Sequence, residues 1–224
     1  MQNTIQIPFV TDKLKIKLTP LQALTHIAAW IPLIVMIIDA FTNNLTINPI
    51  QEATFRTGKT ALWLLVLSLA CTPINTLFGF RAVLKLRRPL GVYAFMYAAI
   101  HFSIYIGLDY FFNLQLIWIE LSQKRYVIVG FAAFLILLPL AITSTKGWQK
   151  RMKRWWTHLH RLVYVAGILV AVHYTWVMKS DIREPLVWMG IIVLLLIMRI
   201  PIVRKKLSGI QAIKFGRKRA PARS

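Results

Sequence analysis

Imidazoles supply most of the chemistry available to the apolar segments of this chain. His101 lies within YAAIHFSIY, and His160 and His173 lie within HLHRLVYVAGILVAVHYTW. Ionisable groups inside apolar runs are costly, so they usually mark function. From His160 to His173 is 13 residues, about 20 Å along a helix. That is the separation needed for one metal centre towards each face of a bilayer. Counting back by the same interval from His101 arrives at Arg88, so His101 and His173 fall at similar depth if their helices run in the same direction. Two imidazoles at one depth can ligate one iron from opposite faces. Iron with both axial positions filled has no open site, so such a centre moves electrons rather than binding oxygen. The competing reading is that these are ordinary intramembrane histidines bonded to Ser or to carbonyl groups. Matched depth of two on parallel helices favours ligation.

The other polar groups narrow the chemistry further. No Asp or Glu falls in the interior of an apolar run, which counts against a proton-coupled transporter. The single Cys71 excludes an internal disulfide, argues against an iron–sulfur site and reads as a small buried thiol. The inner position is less regular than the outer one. An ideal helix turns through about 220° over the His160–His173 interval, so a kink or an altered winding is needed unless the two cofactors flank the helix. At the depth of His160 the third segment offers Arg87 and Arg88, whose guanidinium groups have no lone pair for iron. Three outcomes stay open there: no inner haem, an inner haem on His160 with a weak or absent sixth ligand, or a flavin or quinone site. Arg87, Arg88 and Arg161 suit either haem propionates or simple anchoring at the cytoplasmic face. His26, at the cytoplasmic end of the first segment near its start, and His158, which points away from His160, are weaker candidates.

Positioning these groups takes a bundle of membrane helices. The chain has 224 residues, is 57% hydrophobic and carries a net charge of +21. Six segments of low charge, 21–41, 59–78, 88–108, 126–144, 157–178 and 185–203, each approach the roughly 20 residues that a helix needs to cross a bilayer. Lys and Arg collect before the first, in the second and fourth loops and in the tail; the other loops carry acids that offset their cations. That alternation places both termini in the cytoplasm and assigns the positive charge to lipid headgroups rather than nucleic acid. The expectation is an all-α, integral membrane six-helix bundle binding haem between spans three and five. It consists of a cytoplasmic segment 1–20, a transmembrane domain 21–203 and a basic cytoplasmic tail 204–224. The start MQNTIQIPFV lacks the features of a secretory signal, so the first span is expected to direct insertion. Trp118, Trp148, Trp155, Trp156, Trp176 and Trp188 fall near span ends, as an interfacial belt requires. Pro32, Pro73 and Pro139 are expected to kink helices. No internal repeat is evident. No stretch is long enough for a soluble catalytic domain, so any nucleotide-using partner is another polypeptide.

The run TGKTALWLLVLSLACTPI (57–74) resembles the second helix of the MsrQ (YedZ) family, the haem-binding membrane subunits of bacterial MsrP–MsrQ systems. The runs RRPLGVYAFMYAAIHFSIY (87–105), KRYVIVGFAAFLILLPLAITS (124–144) and WWTHLHRLVYVAGILVAVHYTW (155–176) are similar to its next three helices. Wider relatives are the transmembrane domains of ferric reductases and NADPH oxidases. The resemblance implies an electron-transfer subunit rather than a complete enzyme, in a bacterial inner membrane. Its donor would be a cytoplasmic flavin reductase or the quinone pool, and its acceptor a periplasmic MsrP-like molybdopterin enzyme that reduces methionine sulfoxide. It implies b-type haem, one or two, on His101, His160 and His173, and it favours an inner haem on His160. FMN is a further cofactor associated with the family. A stand-alone ferric or quinone reductase of the same fold, or a cofactor-free transporter or assembly subunit, are the alternatives.

Overall fold

The structure is a computed structural model that describes residues 18–214, with side chains to residue 207. Lys13, Lys15 and Lys17 and the tail beyond Lys214 lie outside the described residues. All the elements among the described residues are helices: α1 Pro20–Phe41, α2 Pro49–Phe78, α3 Arg87–Ile104, α4 Leu114–Gln123, α5 Arg125–Ile142, α6 Lys146–Met152, α7 Arg154–Arg161, α8 Val163–Val177, α9 Arg183–Ile197 and α10 Pro201–Lys214. A wider helical turn, Tyr105–Asp109, extends α3.

Local chemistry sets the boundaries. Thr19 and Gln22 form a capping box at the start of α1, where Pro20 occupies the first turn and gives up an N–H that would have no partner. Asn48 caps α2 before Pro49 in the same way, and α2 stops where Gly79 takes a left-handed conformation (φ 69°).

Among the described residues four helices are long and apolar enough to cross a membrane: α1, α2, α3 with its extension, and α5; α9 and α10 make a fifth if that pair counts as one span. The six expected segments therefore differ from this in two places. The fifth is split at Leu162, whose N–H bonds the Leu159 carbonyl in a tight turn between α7 and α8. The sixth bends by 82° between α9 and Pro201, sending α10 away from the bundle direction.

The helix α2 is the central post. Leu65 and Leu69 on α2 pack with Ala94 and Tyr97 on α3, Leu137 on α5 and Ala166 on α8 in one buried cluster. Lipid tails are as apolar as leucine, so close approach through small residues does the work here. Ala94 and Ala166 are almost completely covered, and Gly167 lies against Leu69 and Ile192. A second cluster joins Leu62 and Val66 to Ala171 of α8 and Ile192 of α9.

At two of the prolines a side chain from another helix enters the backbone ladder. At Pro32, the buried Tyr97 hydroxyl enters the α1 ladder, accepting from Leu33 N–H at 3.1 Å and donating to the Ala29 carbonyl at 2.7 Å. Pro73 cannot donate to the Leu69 carbonyl one turn before it. Arg199, at the α9 bend, donates Nη2 to that carbonyl at 2.6 Å and Nη1 to the Tyr164 hydroxyl at 3.1 Å.

Candidate functional site

His101 sits on the last turn of α3 and His173 near the end of α8, and the fold brings their rings together. Their centroids are 6.2 Å apart and their planes are inclined at 85°. Each ring is held by its Nδ1. His101 Nδ1 lies 2.8 Å from the Thr54 carbonyl on α2, and His173 Nδ1 lies 2.8 Å from the Tyr126 carbonyl on α5. A carbonyl only accepts, so both Nδ1 atoms carry the proton and donate. The lone pair of each neutral ring is therefore on Nε2, the tautomer suited to metal ligation.

The two rings line a cavity of about 390 Å³ enclosed by α2, α3, α5 and α8. Its walls are largely apolar, with Leu65, Phe102, Phe131, Phe134 and Leu137 among them. Phe102 stacks on both Phe131 and Phe134. Polar groups gather at the end bearing the acids, where Lys59, Asp109 and Lys124 reach the cavity. Lys59 pairs with Glu184 at 2.8 Å, and Lys124 pairs with Glu120. The Glu120 carboxylate bonded to Lys124 holds that ammonium above its ordinary range, so it stays charged.

This arrangement suits haem. Two imidazoles on opposite sides of one iron, each with a metal–nitrogen distance of about 2 Å, have ring centres about 6 Å apart. Among the described residues no group of three or more His, Cys, Asp or Glu converges, so the imidazole pair is what this site could offer a metal. An apolar slot with cations at one edge also matches a planar apolar macrocycle that carries carboxylates.

His160 is elsewhere. It lies on α7 against the far end of α5, with Nε2 3.1 Å from the Thr143 hydroxyl and its ring stacked on Trp156 at 4.0 Å. Trp156 Nε1 donates to the Thr143 carbonyl at 2.9 Å. His160 and His173 thus both meet α5, one at each end, and the tight turn at Leu162 reconciles their incompatible helical phases. The charges of Arg87 and Arg88 act on His160, and both arginines are exposed, as is Arg161. His26 Nδ1 bonds the Tyr93 hydroxyl at 2.9 Å, and the exposed His158 turns back to the Arg154 carbonyl at 3.0 Å. Neither is joined to the His101–His173 pair.

Three groups escaped the sequence reading. Arg199 had a signal, because Pro73 frees the Leu69 carbonyl. Gly58 and Gly130 had none, since their place four residues beyond the carbonyl that holds a histidine shows only once those hydrogen bonds are seen.

Comparison with known proteins gives the chain's family. The Ferric reductase like transmembrane component matches residues 57–171, a range that contains His101 and His160 and ends just before His173. The chain is similar to the protein-methionine-sulfoxide reductase heme-binding subunit MsrQ of Xanthomonas axonopodis pv. citri (strain 306). The two are 43% identical over 196 residues, covering 85% of this chain and 88% of the relative. The MsrQ of Rhodospirillum rubrum is 46% identical over 165 residues, covering 72% of this chain and 79% of that protein. No solved structure matches the chain.

Proposed function

The chain belongs to the MsrQ family, and from that premise we propose that it carries electrons across a bacterial inner membrane on b-type haem to a methionine-sulfoxide reductase. The observation that carries this reading is the His101–His173 pair, 6.2 Å between ring centres, with each Nδ1 spent on a carbonyl. Haem held there by His101 and His173 would supply one-electron storage. The protein's part is to fix both rings, to keep water away with Phe102, Phe131 and Phe134, and to meet the propionates with cations. Lys59 and Lys124 stand at the cavity mouth for that purpose.

The end that bears Arg87, Arg88, Arg161 and His160 faces the cytoplasm in this reading and receives electrons from a flavin reductase or quinol. His160 would hold a second, inner haem through the Nε2 that now lies 3.1 Å from the Thr143 hydroxyl. FMN or a quinone at the arginine cluster is the other occupant of that end. The acceptor at the opposite face is a periplasmic molybdopterin enzyme of the MsrP type.

A dithionite-reduced minus oxidised spectrum of the purified protein tests the proposal. A b-type haem difference spectrum is expected, with reoxidation when the periplasmic reductase and methionine sulfoxide are added. Absence of any haem signal would end the electron-transfer reading. Membranes that reduce ferric chelates without a partner would favour a stand-alone reductase instead.

A further inference from the structure

The structure builds one arrangement twice. Each histidine of the pair bonds a carbonyl that precedes it by 47 residues. Four residues beyond that carbonyl stands a glycine, Gly58 on α2 or Gly130 on α5, and each glycine lies against its own imidazole. A shift of 72 residues carries Thr54, Gly58 and His101 onto Tyr126, Gly130 and His173. The same shift carries Leu65 onto Leu137 and Ala94 onto Ala166, all four of them buried. The α2–α3 and α5–α8 pairs are thus two copies of one unit facing each other across the cavity. Few identities survive between them, which hides the repeat in the sequence.

The glycines have a physical task in this unit. Inside a helix the carbonyl of residue i already receives the N–H of residue i+4. A side chain that also donates to that carbonyl must approach past the Cβ of residue i+4. A Cβ added at Gly130 would lie 2.6 Å from His173 Nδ1 and 2.7 Å from Cε1, closer than such atoms come. At Gly58 the corresponding contacts with His101 are 3.0 and 3.1 Å, tight but within reach of a small shift. Each ring is therefore held by a hydrogen bond at one edge and by a slot with no side chain. Two slots on facing copies leave the planes 85° apart.

We propose that Gly58 and Gly130 are positioning residues, paired slots that set the rings of His101 and His173 with Nε2 inward and planes nearly perpendicular for one haem iron. The proposal rests on the reading that these two histidines hold one haem. It has a consequence in the oxidised protein. Crossed axial imidazoles leave two iron d orbitals nearly degenerate, and a low-spin ferric haem then gives a single strong low-field EPR feature. Parallel rings give a resolved rhombic triplet instead. The Nδ1 bond to a carbonyl makes each ring a better donor to iron.

The test uses full-length, haem-loaded protein in detergent. The wild-type spectrum is expected to show the single low-field feature. Gly130→Ala should move it towards a rhombic triplet, raise the midpoint potential and weaken haem retention by about tenfold. Gly58→Ala should act in the same direction but less, in keeping with its looser contacts. A rhombic triplet in the wild type, or a Gly130→Ala protein matching wild type in spectrum, potential and retention, would overturn the proposal. If Gly130→Ala does not insert, the wild-type spectrum and Gly58→Ala decide between the same outcomes. His101→Ala and His173→Ala separate this from the reading beneath it. If both keep a low-spin haem the pairing itself is wrong; if both lose it while the glycine variants are silent, only the slots are.

Discussion

A neutral imidazole offers iron one lone pair, and the group on its other nitrogen decides which way that lone pair points. Thr54 and Tyr126 make that decision for His101 and His173 through their carbonyls. Replacing either histidine with Ala should therefore remove the six-coordinate, low-spin haem signal and stop electron delivery while the bundle persists. Optical spectra of the purified variants check this, and unchanged low-spin haem in both would refute the pairing. His160 gives a different outcome, because its Nε2 is bonded to Thr143 and its face to Trp156. The inner-haem proposal expects His160→Ala to lose a haem spectrally distinct from the one lost in His173→Ala, with slower reduction from the cytoplasmic donor. Wild-type haem content and rate would instead make His160 a clamp between α5 and α7. The outer pair was legible in the sequence because two histidines at one depth leave a spacing that can be counted. The glycines were not, because a glycine in an apolar run reads as helix packing until the ring above it is seen.

At the scale of the element, proline marks where one helix must borrow a partner from another. Pro73 frees the Leu69 carbonyl, and Arg199 reaches from the α9 bend to fill it. That contact joins the turn between α9 and α10 to the middle of α2. Leaving a buried carbonyl without a donor costs about 1–3 kcal/mol. Arg199→Leu should lower thermal stability in detergent accordingly. Pro73→Ala restores the N–H inside α2, so the double variant should recover most of the loss, as coupled partners do in a mutant cycle. A double variant as unstable as the sum of the two singles would separate Arg199 from the Leu69 carbonyl. Most helix positions were legible from hydropathy, and the phase mismatch between His160 and His173 asked for a kink or altered winding between them, or cofactors flanking the helix, without locating the turn at Leu162. The 82° bend after α9 was not read from hydropathy, because Pro201, Ile202 and Val203 extend the apolar run of α9 past the bend before Arg204 begins a basic stretch. Hydropathy reports burial in lipid or protein and is indifferent to direction.

Across the whole molecule, charge is divided by end. Asp39, Glu52, Asp109, Glu120, Asp181 and Glu184, the acids among the described residues, stand on the turns and helix ends at one face of the bundle. Three ties hold that face together: Arg56 bridges Asp39 and Glu52, Lys59 meets Glu184, and Lys124 meets Glu120. The opposite face carries Arg81, Lys85, Arg87, Arg88, Lys146, Lys150, Arg151, Lys153 and Arg154 on its connections, with no acid among the described residues to offset them. Excess Lys and Arg in short loops is retained on the cytoplasmic side. The His101–His173 cavity opens towards the acidic face, so in the proposed function this rule puts it nearer the periplasm, on the side of the proposed acceptor. The 72-residue repeat sharpens the asymmetry, because the shift that pairs His101 with His173 pairs Arg88 with His160. The two-copy architecture thus supplies a matched pair of imidazoles at one end and an imidazole facing a cation at the other. Electrons taken up at the cationic end would move from a site that favours an anionic donor group to one built from neutral ligands. The direction of this path depends wholly on orientation. A reporter active only in the cytoplasm should work when fused after Lys206 and fail when inserted beside Glu120. The reverse pattern would turn the bundle over, place the imidazole pair on the donor side and remove the route to a periplasmic reductase.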